Sequence, residues 1–465
     1  MSEPTRTDQG RDQGRDQGAV VRAVAVGNKL NVAAAASEAS YVAELERILT
    51  LAESHLMLDR PNLVVLTEVL GLPAALAGNR GALARRPPGT ISALALLGLA
   101  AVTPRFKRID LRWVGAGLAA AGLANAALTA YLRKSQLALG LLAVGQGDRV
   151  ARCLRRWRGI SPTRALLLAS CDALYRPLVE TLSRLAVKYS ATIVAGTLAP
   201  EVRRSTDARE IRRWGRVGAD CVYIPTGPEV YNTALVFGPD GSLLGRVNKV
   251  FLTASDREQL DLAPGNLEEV RVISTPAGRL GVAISLDAFT PQYVRHLDAA
   301  GAEIVVQPDA NDTRWAGLTR ETRRWQPEDW LASVLGSIQP KYRNLRYNVC
   351  AMQTGNLYEI PFDGQSSISA QRDTALPKPA PNRTLIGVDE HVNPDTGEPL
   401  LGEFLAVAPW VMEDPVVDNP LLSLEERRQL LAERSVDLLP KGRKANQYGE
   451  MAIWADLYAH SAQRP

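Results

Sequence analysis

Cysteine and histidine are both scarce in this chain of 465 residues. The four cysteines, Cys153, Cys171, Cys221 and Cys350, have no CxxC spacing. That excludes the disulfide framework on which small secreted domains rely, and a reducing cytoplasm is the expected setting. The four histidines, His55, His296, His391 and His460, are scattered, with no HExxH or Cys/His cluster, so neither a metal nor another cofactor is expected. Charge of one sign is also lacking. The net charge of +4 is small for this length and gives no reason to expect nucleic acid as a partner. An apolar run is missing from the N-terminus, which reads MSEPTRTDQGRDQGRDQGAVV, too polar for a secretory signal. Residues 1–18, with Asp-Gln-Gly recurring at Asp8, Asp12 and Asp16, cannot bury enough apolar area to offset the entropy of ordering and are expected to be a disordered tail.

What remains is ordinary globular material, 46% hydrophobic and 22% charged. AVVRAVAV (19–26), NLVVL (62–66), ATIVAG (191–196), LGVAI (280–284), EIVVQP (303–308) and NVCAMQTG (348–355) read as buried strands rich in β-branched residues. DCVYIP (220–225), NTALVFG (232–238) and LLGRVNKVFL (243–252) are further strands, the last two joined by a turn at Pro239-Asp240-Gly241. Between them, 41–58, 174–190 and 291–301 carry apolar residues at helical spacing. This alternation predicts an α/β protein with helices layered on sheets.

Two regions break the rhythm. Residues 80–165 hold the apolar runs TISALALLGLAAV (90–102) and VGAGLAAAGLANAALTAYL (114–132), separated by the basic segment PRFKRIDLRW. The second run approaches the roughly 20 residues that span a bilayer. It is mostly alanine and glycine, however, and flanking positive charge falls on both sides of it. The expectation is a helical insertion, with peripheral membrane contact through 90–132 left open. From about residue 376 to 465 a C-terminal extension begins with a proline-rich loop, and Ser423-Leu424-Glu425-Glu426 has the form of a capping box opening a helix.

Chemistry-bearing residues stand at strand ends. Glu68 follows NLVVLT, Lys249 lies in LGRVNKVFL, Glu258 lies in DREQLDLAPGN, and Ser285 and Asp287 end LGVAI. Alone, each has an ordinary reading: a solvated carboxylate, a surface lysine, a turn serine. Their order and surroundings add a second reading. PNLVVLTEVLGLP, YNTALVFGPDGSLLGRVNKVFL, REQLDLAPGN, STPAGRLGVAISLDAFTPQ, GAEIVVQPDANDTRW and YRNLRYNVCAMQTGN followed by FDGQSSI together resemble the nitrilase, or carbon–nitrogen hydrolase, superfamily. The resemblance spans most of residues 19–375 apart from the insertion.

It implies a four-layer α-β-β-α sandwich, association into homo-oligomers, a small amide or nitrile as substrate, and a Glu-Lys-Cys catalytic set. Carried over by position, the general base falls on Glu68, the lysine on Lys249 and a substrate-positioning acid on Glu258. The nucleophilic cysteine falls on Ser285, a departure from the pattern. A thiol has a free pKa of about 8.5, whereas an alcohol lies towards the roughly 15.7 of water, so Glu68 faces a harder deprotonation. Three readings follow: a hydrolase running on a Glu-Lys-Ser set; a catalytically impaired relative that binds an amide-like ligand or a protein partner; or a structural or membrane-associated interaction protein with residues 80–165 as its working part, which Glu68 and Lys249 count against. Cys350, inside a strand, reads as core, and no block of the resemblance supports Cys171 as a substitute nucleophile.

Overall fold

The computed structural model describes residues 19–30, 34, 37–75, 147–215, 218–319, 322–357, 360–371, 385–410, 419, 421–438 and 448–459. Two sheets stack face to face. The first has the order β14-β1-β3-β4-β5-β6. Its strands are β1 (Ala19–Gly27), β3 (Asn62–Val65), β4 (Ala191–Ser205), β5 (Val222–Phe237), β6 (Leu243–Asn248) and β14 (Met451–Ala459). The second runs β13-β12-β10-β9-β8-β7, with β2 (Lys29–Leu30) and β11 (Ile360–Phe362) also paired to β10. It is built from β7 (Ile273–Thr275), β8 (Gly278–Val282), β9 (Ile304–Ala310), β10 (Tyr347–Leu357), β12 (Ser367–Gln371) and β13 (Gly402–Val407).

The period-two alternation of the strands sorts side chains between the layers. In β1, Val21, Ala23 and Ala25 face the second sheet, where they join Val282, Ile304, Val306, Val349 and Ile368 in the central core. Val24 and Val26 point the other way, onto α1 (Glu38–Glu53) and α5 (Cys171–Tyr189), with Leu45, Ile48, Leu178 and Leu182. On the far side of the second sheet, Val305 packs under α7 (Pro291–Ala299) with Tyr293, Val294 and Leu297. Cys350 and Met352 pack under α8 (Gln326–Val334) with Leu331 and Val334. The expected four-layer α-β-β-α sandwich is therefore the observed architecture.

Several boundaries differ from the sequence expectation, for physical reasons. The segments 220–225 and 232–238 are one strand, β5, held in register against β4 along most of its length. The strand expected over 243–252 ends at Asn248, so Lys249 stands just beyond its end. A short α2 (Leu72–Ala75) follows Glu68. Of the expected insertion, 80–146 lies outside the described residues and with it both apolar runs, 90–102 and 114–132. Its last part folds as α3 (Gly147–Arg156) and α4 (Pro162–Ala169). These helices bury Cys153 and Leu166 to Leu168 against Leu198, Trp214, Ile224 and Leu252, a satellite core joined to the first sheet. A helix α6 (Ala208–Trp214) closes that cluster. Among the described residues no helix is long and apolar enough to cross a membrane.

The C-terminal extension contributes to both sheets rather than hanging from them. β13 pairs with β12, and β14 pairs antiparallel with β1 over nine positions, from Ala19↔Ala459 to Gly27↔Met451. The helix α9 (Leu424–Leu438) packs on the α8 side through Leu431 and Leu438. The capping box forms: Ser423 and Glu426 exchange side-chain-to-backbone bonds of 2.9 and 3.3 Å.

Candidate active site

Glu68 is set by the central strand β3, held between β1 and β4 in parallel register. The backbone bonds Leu66 N–H to Val194 O, 2.8 Å, and Gly196 N–H to Thr67 O, 3.0 Å, continue that pairing to its doorstep. Gly196 has to be glycine, because a Cβ there would run into the Glu68 backbone. The carboxylate is buried, 3% exposed. Its Oε1 accepts from Lys249 Nζ at 2.7 Å and from Asn232 Nδ2 at 2.7 Å. Among the described residues Oε2 accepts no hydrogen bond. Burial raises the Glu68 pKa above the usual carboxylate range. The Lys249 charge pulls it down and the neighbouring Asp256 pushes it up again, and burial prevails.

Lys249 is 1% exposed. Beside its bond to Glu68 it reaches Asp256 Oδ2 at 3.0 Å. Burial by itself would depress the ammonium, but the two carboxylates more than reverse that and hold it charged. Asp256 is fixed by the N–H and hydroxyl of Thr253, both at 3.0 Å to Oδ2, at the head of a π-helical turn, Ser255–Gln259.

Ser285 is buried and opens a 3-10 turn, Ser285–Asp287, directly past β8. Its φ of +48° is in the left-handed region, uncommon for a residue with a Cβ. Such a backbone turns the side chain sharply out of the strand direction. Among the described residues the Ser285 hydroxyl has no hydrogen-bond partner, so it is not a turn hydroxyl tied to the backbone. The turn is instead secured by Asp287, fully buried. Its Oδ1 accepts from the N–H groups of Val250, 3.1 Å, and Phe251, 2.8 Å, and its Oδ2 from Ile284 N–H, 3.3 Å. Asp287 thus stitches the serine turn to the two residues after Lys249. Burial pushes its pKa up to about 7, against the pull of those N–H donors and of the Lys249 charge.

A fourth carboxylate belongs to the neighbourhood. Asp309, near the end of β9, is fully buried. Its Oδ2 accepts from Gln307 Nε2 (2.8 Å), Cys350 Sγ (3.1 Å) and Trp330 Nε1 (3.2 Å). Burial and then the Glu68 charge push its pKa up to about 7. Around the site, Asn232 Oδ1 and Asp309 Oδ1 are buried acceptors without a partner among the described residues.

Of the sequence-derived candidates, Glu68 and Lys249 are in direct contact, and Ser285 is tied to the Lys249 segment through Asp287. Glu258 is exposed, two positions along the same turn from the acid that pairs with Lys249. Asp256, Asn232 and Asp309 escaped the sequence reading. The available signals were a second acid in the Glu258 segment, an amide opening a buried strand run, and a carboxylate in QPDAND at a strand end. Cys171 donates to the Tyr223 carbonyl, 3.2 Å, and His296 lies 3.1 Å from the Val270 carbonyl, so neither joins the constellation. No group of three or more His, Cys, Asp or Glu among the described residues is arranged to hold a metal ion.

A buried Glu–Lys pair, a strand-end serine at positive φ and a two-sheet sandwich define the class: an α/β protein of the α-β-β-α sandwich type. The carbon-nitrogen hydrolase family model matches residues 159–370. The matched stretch contains Lys249, Asp256 and Ser285; Glu68 lies before it and is brought in by the fold. The chain is 26% identical over 208 residues to an omega-amidase of Saccharomyces cerevisiae, covering 42% of this chain and 63% of that protein. It is 33% identical over 139 residues to a deaminated glutathione amidase of Yersinia enterocolitica, covering 27% of this chain and 47% of that protein. The chain therefore spans less than two thirds of either relative. A carbon-nitrogen hydrolase from Helicobacter pylori superposes with a TM-score of 0.41 at 15% identity, covering 76% of this chain and 82% of that one.

Proposed function

We propose that this protein is a carbon–nitrogen hydrolase that cleaves a small amide or nitrile with Ser285 as nucleophile, Glu68 as general base and Lys249 as the fixed positive charge. The observation that carries the reading is the Ser285 turn: positive φ, a hydroxyl without a partner among the described residues, and an Asp287 tie to the Lys249 segment. For an amide, Glu68 Oε2 takes the hydroxyl proton as Oγ bonds to the carbonyl carbon. Negative charge then collects on the carbonyl oxygen, where the Lys249 ammonium and a backbone N–H of the turn stabilise it, commonly the largest catalytic contribution. Glu68 returns its proton to the departing amine as the C–N bond breaks and an ester to Ser285 remains. Water, deprotonated by the same carboxylate, then releases the acid and restores the serine. Asn232 keeps Glu68 oriented, and its unpartnered Oδ1 suits a substrate N–H.

The serine itself supports a second reading, a site that binds amide-like ligands with little turnover, since the base must ionise an alcohol. One experiment separates the two. Wild type, Ser285→Ala and Ser285→Cys are assayed on a panel of amides and nitriles, with iodoacetamide labelling of Ser285→Cys followed by mass spectrometry. Wild-type turnover lost in Ser285→Ala identifies serine as the attacking group. No wild-type turnover together with rapid labelling of the introduced thiol supports the binding reading. An unlabelled thiol would mean that the residues do not form an accessible site, and both readings fall. The expected form is a homo-oligomer, and the expected setting remains cytoplasmic.

A further inference from the structure

Asp309 has no role in the chemistry above, yet it carries an unusual load. It is a fully buried carboxylate with one oxygen saturated by three donors and the other, Oδ1, without any among the described residues. A buried carboxylate oxygen left unpaired is costly and calls for a donor. Gln307, Cys350 and Trp330 all sit on Oδ2, so even when the group is protonated the proton belongs on Oδ1, where nothing accepts it. The surroundings favour positive charge. Glu68 acts on Asp309 electrostatically, whereas the Lys249 ammonium is shared by Glu68 and Asp256. The indole of Trp330 bonds Asp309 through Nε1 and meets the ring of Phe289, four residues past Ser285, edge-on at 5.0 Å. Trp315 also meets the Trp330 ring, at 5.2 Å. Trp330 and Phe289 are half-buried, Asp309 fully buried. A buried carboxylate oxygen without a donor attracts a cation, and the neighbouring aromatic rings supply apolar walls for an acyl chain.

We propose that Asp309 is a specificity determinant of the site: its Oδ1 receives an ammonium group at the far end of the substrate's acyl chain, with Trp330 and Phe289 flanking it. This rests on the acyl-site reading of Ser285 and sharpens it to a cationic amide. It also predicts rejection of amides whose acyl chain ends in a carboxylate, which would meet the like charge of Asp309 and, near it, that of Glu68.

The test uses binding, so that turnover is not required. Three amides of equal chain length, 4-aminobutanamide, pentanamide and glutaramate, are titrated at pH 8 by calorimetry into full-length wild type and Asp309→Asn. Wild type is expected to hold 4-aminobutanamide at least about tenfold more tightly than pentanamide, in line with a charge-assisted bond, and to bind glutaramate least. Asp309→Asn should level the first two. Equal wild-type affinity for the three, preference for glutaramate, binding of none, or a cation preference that survives Asp309→Asn would each overturn the proposal. Iodoacetamide labelling of Ser285→Cys reports separately on the acyl site. A labelled thiol with no charge preference sinks only this proposal, whereas an unlabelled thiol with no binding sinks both.

Discussion

Replacing Lys249 by methionine removes one ammonium and leaves two buried carboxylates, Glu68 and Asp256, without their shared partner at 2.7 and 3.0 Å. The volume is nearly conserved, so the cost is electrostatic rather than a cavity. Breaking a buried pair from one side costs about 3–5 kcal/mol, a large part of the total stability of an ordinary domain. The double variant Lys249→Met, Glu68→Gln removes one of the stranded charges and leaves Asp256 with its two Thr253 donors. It should therefore be less destabilised than the sum of the two single variants, with a coupling of about 2 kcal/mol or more. Sign and pH dependence follow from the same contacts. Glu68 already has a raised folded pKa, and losing Lys249 raises it further. The stability of the methionine variant is then highest at low pH and falls as pH rises through that folded value, so its deficit is larger at pH 8 than at pH 5. Urea unfolding of the four proteins, followed by tryptophan fluorescence and circular dichroism at both pH values, measures this. Additivity within about 0.5 kcal/mol, or a deficit independent of pH, would refute the claim that these side chains form one buried charge network.

Two further outcomes follow. Asp287→Ala strands the N–H groups of Val250, Phe251 and Ile284 and should cost about 3 kcal/mol or more, at about 1–3 kcal/mol for each unsatisfied donor. Because the wild-type carboxyl is pushed up to about 7, its contribution is full below the ordinary carboxylate pKa and is lost as pH rises through 7. The penalty should accordingly be about 2 kcal/mol smaller at pH 8 than at pH 5, and an equal penalty in urea unfolding at the two pH values would count against a buried, perturbed Asp287. The protein is also expected to associate through two-fold symmetry, the commonest outcome for soluble chains; light scattering that returns a monomer mass at micromolar concentration rejects this.

The alternation of Val21, Ala23 and Ala25 with Val24 and Val26 marks β1 as a two-faced strand from its sequence alone, because side-chain direction along a strand is a local property of the backbone. The same locality made the ends of NLVVL and LGVAI legible as places where Glu68 and Ser285 leave the sheet, and the order of the sequence blocks carried the sandwich. Partner choice was not legible. Asp256 and Glu258 are two positions apart in one segment, and only the turn that buries the first and exposes the second decides which pairs with Lys249. Cys350 reads as a core thiol until the register of β10 against β9 sets it 3.1 Å from Asp309. The pairing of β14 with β1 joins opposite ends of the chain, and Asp287 reaches back 36 and 37 positions to the segment after Lys249. Local periodicity follows from the geometry of a few consecutive residues. Whether a charge is buried, what it meets there and whether an oxygen is left without a donor depend on groups that are distant in the chain, and those were decided only when the two sheets closed on each other.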